Sequence, residues 1–397
     1  MTKNFCLLAA LLWGLACTKG SLTGEGPSPE VPAAEPAKTP QLPDVAYNYA
    51  HIALPHHFSE NVIVGLDQTS AKFTDNTPSD NPITDAGATL GRVLFYDKKL
   101  SSNGTIACAS CHKQAYGFAD PATVSRGVGG AVTRRNAMGL TNARFNRRGR
   151  FLWDERAATL EQQVLMPLQN PVEMGNSLPQ LVDKIQAQPF YKPLFVNAFG
   201  SESVTADKVA KALAQFVRSM VSINSPYDVG RAKVADPLVD FPNFTPQENE
   251  GKKLFFNPVS KGGMACAECH ATEAFINPAF GTTSNGLDTA STSDLGVFES
   301  NHLERFKGTF KMTSLKNIAV TAPYMHDGRF ATLPAVVDFY DSGVQPHPNL
   351  GIVLKNNNGQ PLRFHLTPAQ KDAMVAFLQT LTDAELLNDP KFGDPFR

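Results

Sequence analysis

Excess charge, cysteine and long apolar runs are all scarce in this chain, and each shortage excludes a class of protein. The 36 Lys and Arg residues nearly balance the 37 Asp and Glu residues, which leaves a formal net charge of −1. A nucleic-acid partner would normally require a basic face, so we expect none. No convincing run alternates apolar and polar residues, which predicts a mainly α fold. With 397 residues, the chain is long enough for two domains with cores of their own.

The first apolar run, residues 5–16, is too short to span a membrane as a helix. It follows a positive charge and ends in small residues before Cys17, which predicts a signal peptide over residues 1–16. Either the signal is cleaved in the ordinary way, or lipoprotein processing leaves Cys17 as a lipidated first residue, which we favour. Residues 17–50 are rich in Pro, Ala, Glu and Gly and predict a flexible tether. We therefore expect an exported, periplasmic protein that a lipid anchors to the membrane.

The 6 cysteines leave no thiol for a disulfide. Cys6 lies in the predicted signal peptide and Cys17 at its cleavage point. The other four belong to two copies of the motif CxxCH, which contains Cys108, Cys111 and His112 in the first copy and Cys266, Cys269 and His270 in the second. This motif is typical of c-type haem attachment, in which the two thiols bond to the haem and the histidine is directed at the iron.

Zinc is the alternative to haem, because cysteine pairs with this spacing also bind that metal. A single zinc ion could take all four sulfurs only if two distant segments met, and it would not need a histidine after each pair. The export signal also fits haem c, which bacteria attach outside the cytoplasmic membrane. We therefore expect two covalently bound haem c groups.

The sequence around each motif occurs twice, which predicts two domains of one kind. A short helix ending in Leu-Phe-aromatic precedes each motif, and the second of these opens with a capping box at Thr245. A closing helix follows each motif, at residues 205–221 and 367–381, with apolar residues at helical spacing. This order of elements resembles the cytochrome c fold in tandem. We predict an N-terminal haem domain over residues 51–240 and a C-terminal one over residues 241–397.

A second internal repeat shows a difference between the halves. Residues 154–160 resemble residues 327–333, and in each a threonine is expected to cap a helix that runs over a haem. In the second half that helix carries Tyr340, whereas the matching position in the first half is Pro167. Because proline cannot ligate iron, we expect the two haems to be coordinated differently.

Four stretches of the chain resemble the bacterial di-haem cytochrome c peroxidases and their MauG-type relatives. They are Leu-Ser-Ser-Asn-Gly before the first motif, Phe-Leu-Trp-Asp-Glu-Arg at 151–156, Asn-Pro-Val-Glu-Met at 170–174, and Thr-Ala-Pro-Tyr-Met-His-Asp-Gly at 321–328. The resemblance runs from residue 81 to residue 383. It implies that the N-terminal haem reacts with hydrogen peroxide while the C-terminal haem stores or relays electrons. Relatives often pair, so a homodimer is one option that the resemblance leaves open.

The resemblance also implies roles for residues outside the motifs. Trp153 is the bridging tryptophan between the haems, and Gln163 and Glu173 belong to the distal pocket of the first haem. Without the resemblance, Trp153 would be interpreted as a packed core aromatic and Glu173 as a solvated loop carboxylate. The resemblance further implies a calcium ion near the domain junction, with the ligands Asn136, Thr321 and Pro323, the last two through backbone carbonyls.

The ligand opposite each histidine decides what a haem can do. Conventional members of the family carry a distal histidine in the loop after CxxCH, but residues 113–145 contain no histidine here. Met138 is the conventional soft ligand in that loop, and we expect it to pack instead. The first iron should therefore keep an open position for peroxide. Glu173 is then the expected proton shuttle, with Gln163 as a hydrogen-bonding partner of the bound oxygen or of a pocket water.

The second haem is expected to be closed by Tyr340. In conventional members a methionine ligates 14 residues after the histidine that matches His326, and the same step reaches Tyr340 here. MauG-like proteins have a tyrosine at that place. A phenolate favours the higher oxidation states of iron, whereas methionine raises the potential. Ligation by Met325 or Met312 remains the alternative.

The sequence thus predicts an oxidoreductase, a di-haem c-type peroxidase that reduces hydrogen peroxide. Its oxidising equivalents would be shared through Trp153 and discharged by electrons from outside. The donor would be a small cytochrome c, a copper protein or an aromatic side chain of a partner protein. The alternative from another class is a non-catalytic di-haem electron carrier, which would require protein ligands on both faces of both irons.

Overall fold

Helices and the loops between them make up most of the described chain. The computed structural model describes residues 39–64, 67–277 and 281–396. The α-helices are α1 Asp85–Tyr96, α2 Cys108–Cys111, α3 Leu160–Gln169, α4 Leu178–Gln186, α5 Tyr191–Phe199, α6 Ala206–Ser219, α7 Pro226–Arg231, α8 Pro246–Phe256, α9 Phe298–Asn301, α10 Leu333–Asp338, α11 Pro368–Gln379 and α12 Ala384–Asn388. The described strands are short and form two antiparallel ribbons, β1 Val62–Val64 with β2 Asp67–Thr69, and β3 Thr282–Thr283 with β4 Phe310–Lys311. The prediction of a mainly α fold is confirmed.

Two helix pairs form the framework, and in each pair a glycine lets the two backbones touch. Helix α1 crosses α6 at Gly91, where any Cβ atom would collide with the carbonyl of Ala212. Helix α8 crosses α11 at Gly251, where a Cβ atom would collide with the carbonyl of Ala373. Only glycine fits at such a distance. The two crossings are equivalent, as the repeated sequence around the motifs predicts.

Threonine caps set the start of the framework helices. The Thr245 hydroxyl accepts a hydrogen bond from the backbone N–H of Glu248 at 3.2 Å, and the Glu248 carboxylate accepts one from the Thr245 N–H at 2.6 Å. This is the predicted capping box. The predicted caps Thr159 on α3 and Thr332 on α10 are also present. Thr205 and Thr367 cap the closing helices α6 and α11 in the same way.

Each helix pair has its own hydrophobic core, although residues 39–397 form one compact unit. The first core is built on α1, α3 and α6, and the second on α8, α10 and α11. Tyr227 comes before residue 240 but packs in the second core, whereas Phe392 returns to the first. The two cores therefore exchange segments across the predicted boundary, and the division into haem domains over 51–240 and 241–397 stays a prediction.

The tether was predicted over residues 17–50, and its last residues pack on the first core. Tyr49 is fully buried, and its hydroxyl donates to the carbonyl of Lys391 at 2.6 Å. Its backbone N–H donates to Asp85 at 2.7 Å. Burial of this ring outweighs the polar, Pro-rich composition of the segment, so the chain is already packed at Tyr49.

The predicted signal peptide, residues 1–16, lies outside the described residues, as do Cys6 and Cys17. None of the helices in the described ranges combines the length and the hydropathy needed to cross a bilayer.

We expect Gly251→Ala to lower the free energy of unfolding by about 3 kcal/mol or more, because neither helix can move away without distorting its backbone. Guanidinium unfolding of the haem-loaded protein, followed by far-UV circular dichroism, measures this. Glu250→Ala is the control, since Glu250 is exposed on the same helix and should change stability by less than about 0.5 kcal/mol. Wild-type stability of Gly251→Ala would contradict a close backbone crossing.

Candidate haem sites

A cavity of about 510 Å³ lies beside the first CxxCH motif. Apolar side chains such as Leu160, Leu213 and Val217 form much of its wall. The same wall contains residues that the sequence singles out for the first haem, and they are Cys108, Cys111, His112, Asn136, Trp153, Gln163 and Glu173. The structure therefore brings residues from four separate stretches of sequence to one space.

Both motif histidines are held in the same way. Nδ1 of His112 lies 2.7 Å from the carbonyl oxygen of Phe118, and Nδ1 of His270 lies 3.2 Å from that of Thr313. A carbonyl can only accept, so Nδ1 carries the proton and Nε2 is left as the electron-pair donor. Burial lowers the pKa of both rings, that of His270 to about 4. Two neutral, oriented imidazoles are what axial ligation of iron requires.

The motif thiols also suit covalent attachment to haem. The four cysteines of the two motifs form no disulfide with one another. Burial raises the pKa of Cys108 and of Cys266 to about 12, so both sit in apolar surroundings as neutral thiols. Across the described ranges, no three His, Cys, Asp or Glu side chains gather as a metal-binding group. The residues present fit haem c.

Glu173 enters the first cavity as a shielded carboxyl group. Its Oε1 accepts a hydrogen bond from the Asn170 side chain at 2.7 Å. Burial raises the pKa of Glu173 above its usual value, against the opposing hydrogen bond from Asn170 and the charge of Arg156. A raised pKa brings a carboxyl group closer to the working pH of a general acid or base. The Asn170 contact was not foreseen from the sequence, although Asn170 opens the stretch that carries Glu173.

Trp153 forms hydrogen bonds with residues of both halves of the chain. Its Nε1–H donates to the backbone carbonyl of Asn136 at 2.8 Å, and its own carbonyl accepts from the N–H of Lys311 in β4 at 2.8 Å. The ring meets His326 edge to face, with centroids 6.4 Å apart. His326 in turn stacks on Phe310 at 3.7 Å. A row of aromatic rings therefore leads from the first cavity into the second half.

Asn136 is hydrogen-bonded close to the segment that contains the other two predicted calcium ligands, Thr321 and Pro323. Its backbone N–H donates to the carbonyl of His326 at 2.8 Å, a few residues beyond Thr321 and Pro323. Its side-chain amide lies 3.1 Å from the carbonyl of Ala122. Calcium stays a prediction from the resemblance, because amide and carbonyl oxygens, although they are calcium ligands in other proteins, accept ordinary hydrogen bonds just as often.

Tyr340 lies at the second motif, in a π-helical turn, Phe339–Gly343, that continues α10. Burial raises the pKa of Tyr340 to about 12, and the sulfur atoms of Cys269 and Cys266 are close enough to contribute. The Tyr340 hydroxyl accepts a hydrogen bond from the side chain of Asn285 at 3.3 Å. Turns of this kind are often found at functional sites.

The positions of Pro167 and Tyr340 agree with their alignment in the sequence. Pro167 lies within α3 and lines the first cavity, as Tyr340 lies beside the cysteines of the second motif.

Met312 also lines the first cavity. The backbone carbonyl of Met138 faces the His112 ring, which places Met138 on the histidine side of the cavity. Among the methionines weighed as ligands, Met325 lies beside Tyr340, and both contact Asn285.

Sequence reasoning missed an ion-pair cluster beside Trp153. Arg135 binds Asp154 at 2.6 Å, Asp294 at 2.7 Å and Glu299 at 3.1 Å, with little of its side chain exposed. Burial opposes ionisation, yet the hydrogen bond from Arg135 holds the pKa of Asp294 below its usual value. These partners are distant in sequence, so no local pattern could have indicated the cluster.

Comparisons with known proteins agree with this geometry. The family model described as di-haem cytochrome c peroxidase matches residues 85–233. The methylamine utilization protein MauG of Methylorubrum extorquens is 34% identical over 305 residues, covering 77% of this chain and 80% of that protein. The cytochrome c551 peroxidase of Nitrosomonas europaea is 32% identical over 303 residues, covering 74% and 79%.

Solved structures give the same result. A MauG-like protein associated with microbial copper homeostasis superposes with a TM-score of 0.70 at 34% identity, covering 81% of this chain and 97% of that one. The diheme peroxidase BthA from Burkholderia thailandensis superposes with a TM-score of 0.63 at 25% identity, covering 79% and 91%.

The chain belongs to the di-haem cytochrome c peroxidase family and is MauG-like. It is an oxidoreductase that acts on peroxide, as the sequence predicts, rather than a non-catalytic carrier. Membership of the family implies two haem c groups.

We expect Arg135→Met to lower the free energy of unfolding by about 3 kcal/mol, because it removes the partner shared by the buried carboxylate of Asp154 and the partly buried carboxylate of Asp294. Arg134→Met is the matched control. Arg134 pairs with Asp294 and Glu299 too, but half of its side chain is exposed, and such pairs contribute about 0–1 kcal/mol. Chemical unfolding of both variants measures the two free energies. Equal losses of stability in the two variants would contradict a special role for Arg135.

Proposed function

We propose that the chain is an exported peroxidase with two unequal haem sites. The site at His112 reacts with hydrogen peroxide, and the site at His270 stores or relays oxidising equivalents. The observation that carries this proposal is the pair Pro167 and Tyr340. At equivalent places, the first site offers a side chain that cannot bind a metal and the second offers a phenol beside its cysteines.

The side chains at the first site suit a reaction with peroxide. Haem iron, when bound, supplies the redox chemistry that cleaves peroxide. Glu173 then holds a proton near the cavity and moves it between the two peroxide oxygens, which heterolysis of the O–O bond requires. The Asn170 amide fixes the carboxyl group of Glu173 in position. Gln163 lines the same cavity and would offer a hydrogen bond to peroxide or to a water molecule there.

The structure around Trp153 supports its proposed role as a relay. The residue lines the first cavity, and its neighbours His326 and Phe310 belong to the second half. The hydrogen bond from Nε1 to Asn136 orients the indole and offers an acceptor for its proton. A packed core aromatic would need neither the cavity position nor the row of rings.

Tyr340 defines what the second site does in this proposal. A phenolate ligand favours the higher oxidation states of iron, so this site is suited to holding an oxidising equivalent rather than to accepting ordinary electrons. Electrons from a small cytochrome c, a copper protein or an aromatic side chain of a protein substrate then complete the cycle. We also propose lipid anchoring at Cys17 in the periplasm and a calcium ion at Asn136, Thr321 and Pro323.

Glu173→Gln should reduce peroxide turnover by about 100-fold or more, because the amide cannot accept and return a proton. Haem content should stay at the wild-type value, which a pyridine haemochrome assay establishes. Glu304→Gln makes the same chemical change at an exposed site and should leave turnover unaltered. Turnover that survives in Glu173→Gln would remove Glu173 from the proposed proton pathway.

Trp153→Phe should preserve folding but slow the sharing of oxidising equivalents between the haems, since phenylalanine is harder to oxidise and has no N–H for Asn136. Stopped-flow spectroscopy after mixing with peroxide measures the rate. Tyr116→Phe, at an exposed ring of the same half, controls for loss of an unrelated polar aromatic. Unchanged transfer in Trp153→Phe would rule out the relay.

A further inference from the structure

One side-chain amide lies between two candidate iron ligands at the second site. Nδ2 of Asn285 is 3.3 Å from the hydroxyl oxygen of Tyr340 and 3.4 Å from the sulfur of Met325. An amide nitrogen carries two hydrogens, so it can donate to both acceptors together. Phenolate oxygen and thioether sulfur are both ligands of haem iron, but they tune it in opposite directions.

The loop that carries Asn285 is fixed by its backbone. Ser284 accepts a hydrogen bond at its carbonyl from the N–H of Gly351 at 2.9 Å, and Gly286 accepts one from Gln345 at 2.7 Å. Gly286 has φ +73° and no room for a Cβ atom, which would lie 2.6 Å from the Gln345 carbonyl. Asn285 therefore has a pinned residue on each side, and its amide has little freedom to move away.

The turn that carries Tyr340 is pinned as well. The carboxylate of its buried neighbour Asp341 accepts from the N–H of Leu366 at 2.9 Å and pairs with Lys371 of α11 at 2.9 Å. The Tyr340 ring packs edge to face on Phe339 at 5.0 Å. With the backbone fixed and the ring packed against apolar neighbours, the hydrogen bond from Asn285 is the polar contact that holds the phenol oxygen.

Met325 is held in a strained conformation beside this pair. Its φ is +74°, in the left-handed region that side chains other than glycine rarely adopt. Its carbonyl accepts from the N–H of Gly328 at 3.2 Å, which closes a tight turn. A thioether is a weak hydrogen-bond acceptor, so the contact with Asn285 orients the sulfur rather than binding it firmly.

We propose that Asn285 is a positioning residue that selects the axial donor of the second haem. One N–H holds the phenol oxygen of Tyr340 in place, and the other engages the sulfur of Met325 and keeps it from competing. This inference rests on the proposed function in which Tyr340 closes the second site. It adds a residue that sets which of two available ligands is used.

Asn285→Leu tests the selection, because leucine has a similar size and no donor. The ferric optical and electron paramagnetic resonance spectra of the haem-loaded protein are recorded, together with the reduction potential of the second haem. We expect a second ligand set to appear beside the wild-type one, with a thioether-to-iron band at the red edge and a raised potential. In Asn285→Leu combined with Met325→Leu, the thioether band should be absent. Asn243→Leu, the same change at an exposed asparagine of the second half, should match wild type.

The outcomes separate this inference from the proposed function. Spectra and potential of Asn285→Leu that match wild type would overturn the role of Asn285. A new ligand set without a thioether band would keep the positioning of Tyr340 but overturn competition by Met325. Tyr340→Phe tests the underlying function independently, since an unchanged ferric spectrum there would show that Tyr340 is not the ligand. Asn285→Gln, which restores a donor, should recover much of the wild-type spectrum and shows that Asn285→Leu is folded correctly.

Discussion

Two helix crossings, each with backbone against backbone, determine where the remaining elements can lie. At Gly91 and at Gly251 the partner helix approaches so closely that no side chain fits. Each motif follows its helix after a loop and lies beside a hydrophobic core. The segments between motif and closing helix line the cavity at the first motif and bring Tyr340 to the second. The residues proposed as catalytic and ligating are therefore placed mainly by loops on a framework that depends on close helix crossings at two glycines.

Much of this framework could be predicted from the sequence. Capping residues such as Thr245 act through neighbours three residues away, and the CxxCH motif contains its own chemistry. The correspondence between the positions of Pro167 and Tyr340 followed from counting along two similar segments. These features are local, so a single sequence contains the information.

Other parts of the site depend on contacts that no local pattern contains. Arg135 meets Asp294 across 159 residues, and Asn285 meets Tyr340 across 55. Tyr49 was assigned to a tether because the composition of its segment is polar, yet its ring is buried by α6 and the C-terminal segment. In each case tertiary packing decides, and packing is set by residues far away in the chain.

The two halves share a scaffold but not a chemistry. Both histidines present Nε2 with Nδ1 bonded to a carbonyl, so the tethered side is the same at each site. The surroundings differ, with Pro167 and Glu173 lining the cavity at the first motif and Tyr340 lying beside the cysteines of the second. Electron paramagnetic resonance of the fully ferric protein tests this inequality most directly. We predict one high-spin haem that changes when peroxide is added and one low-spin haem that does not bind it. Two low-spin haems, both indifferent to peroxide, would contradict it.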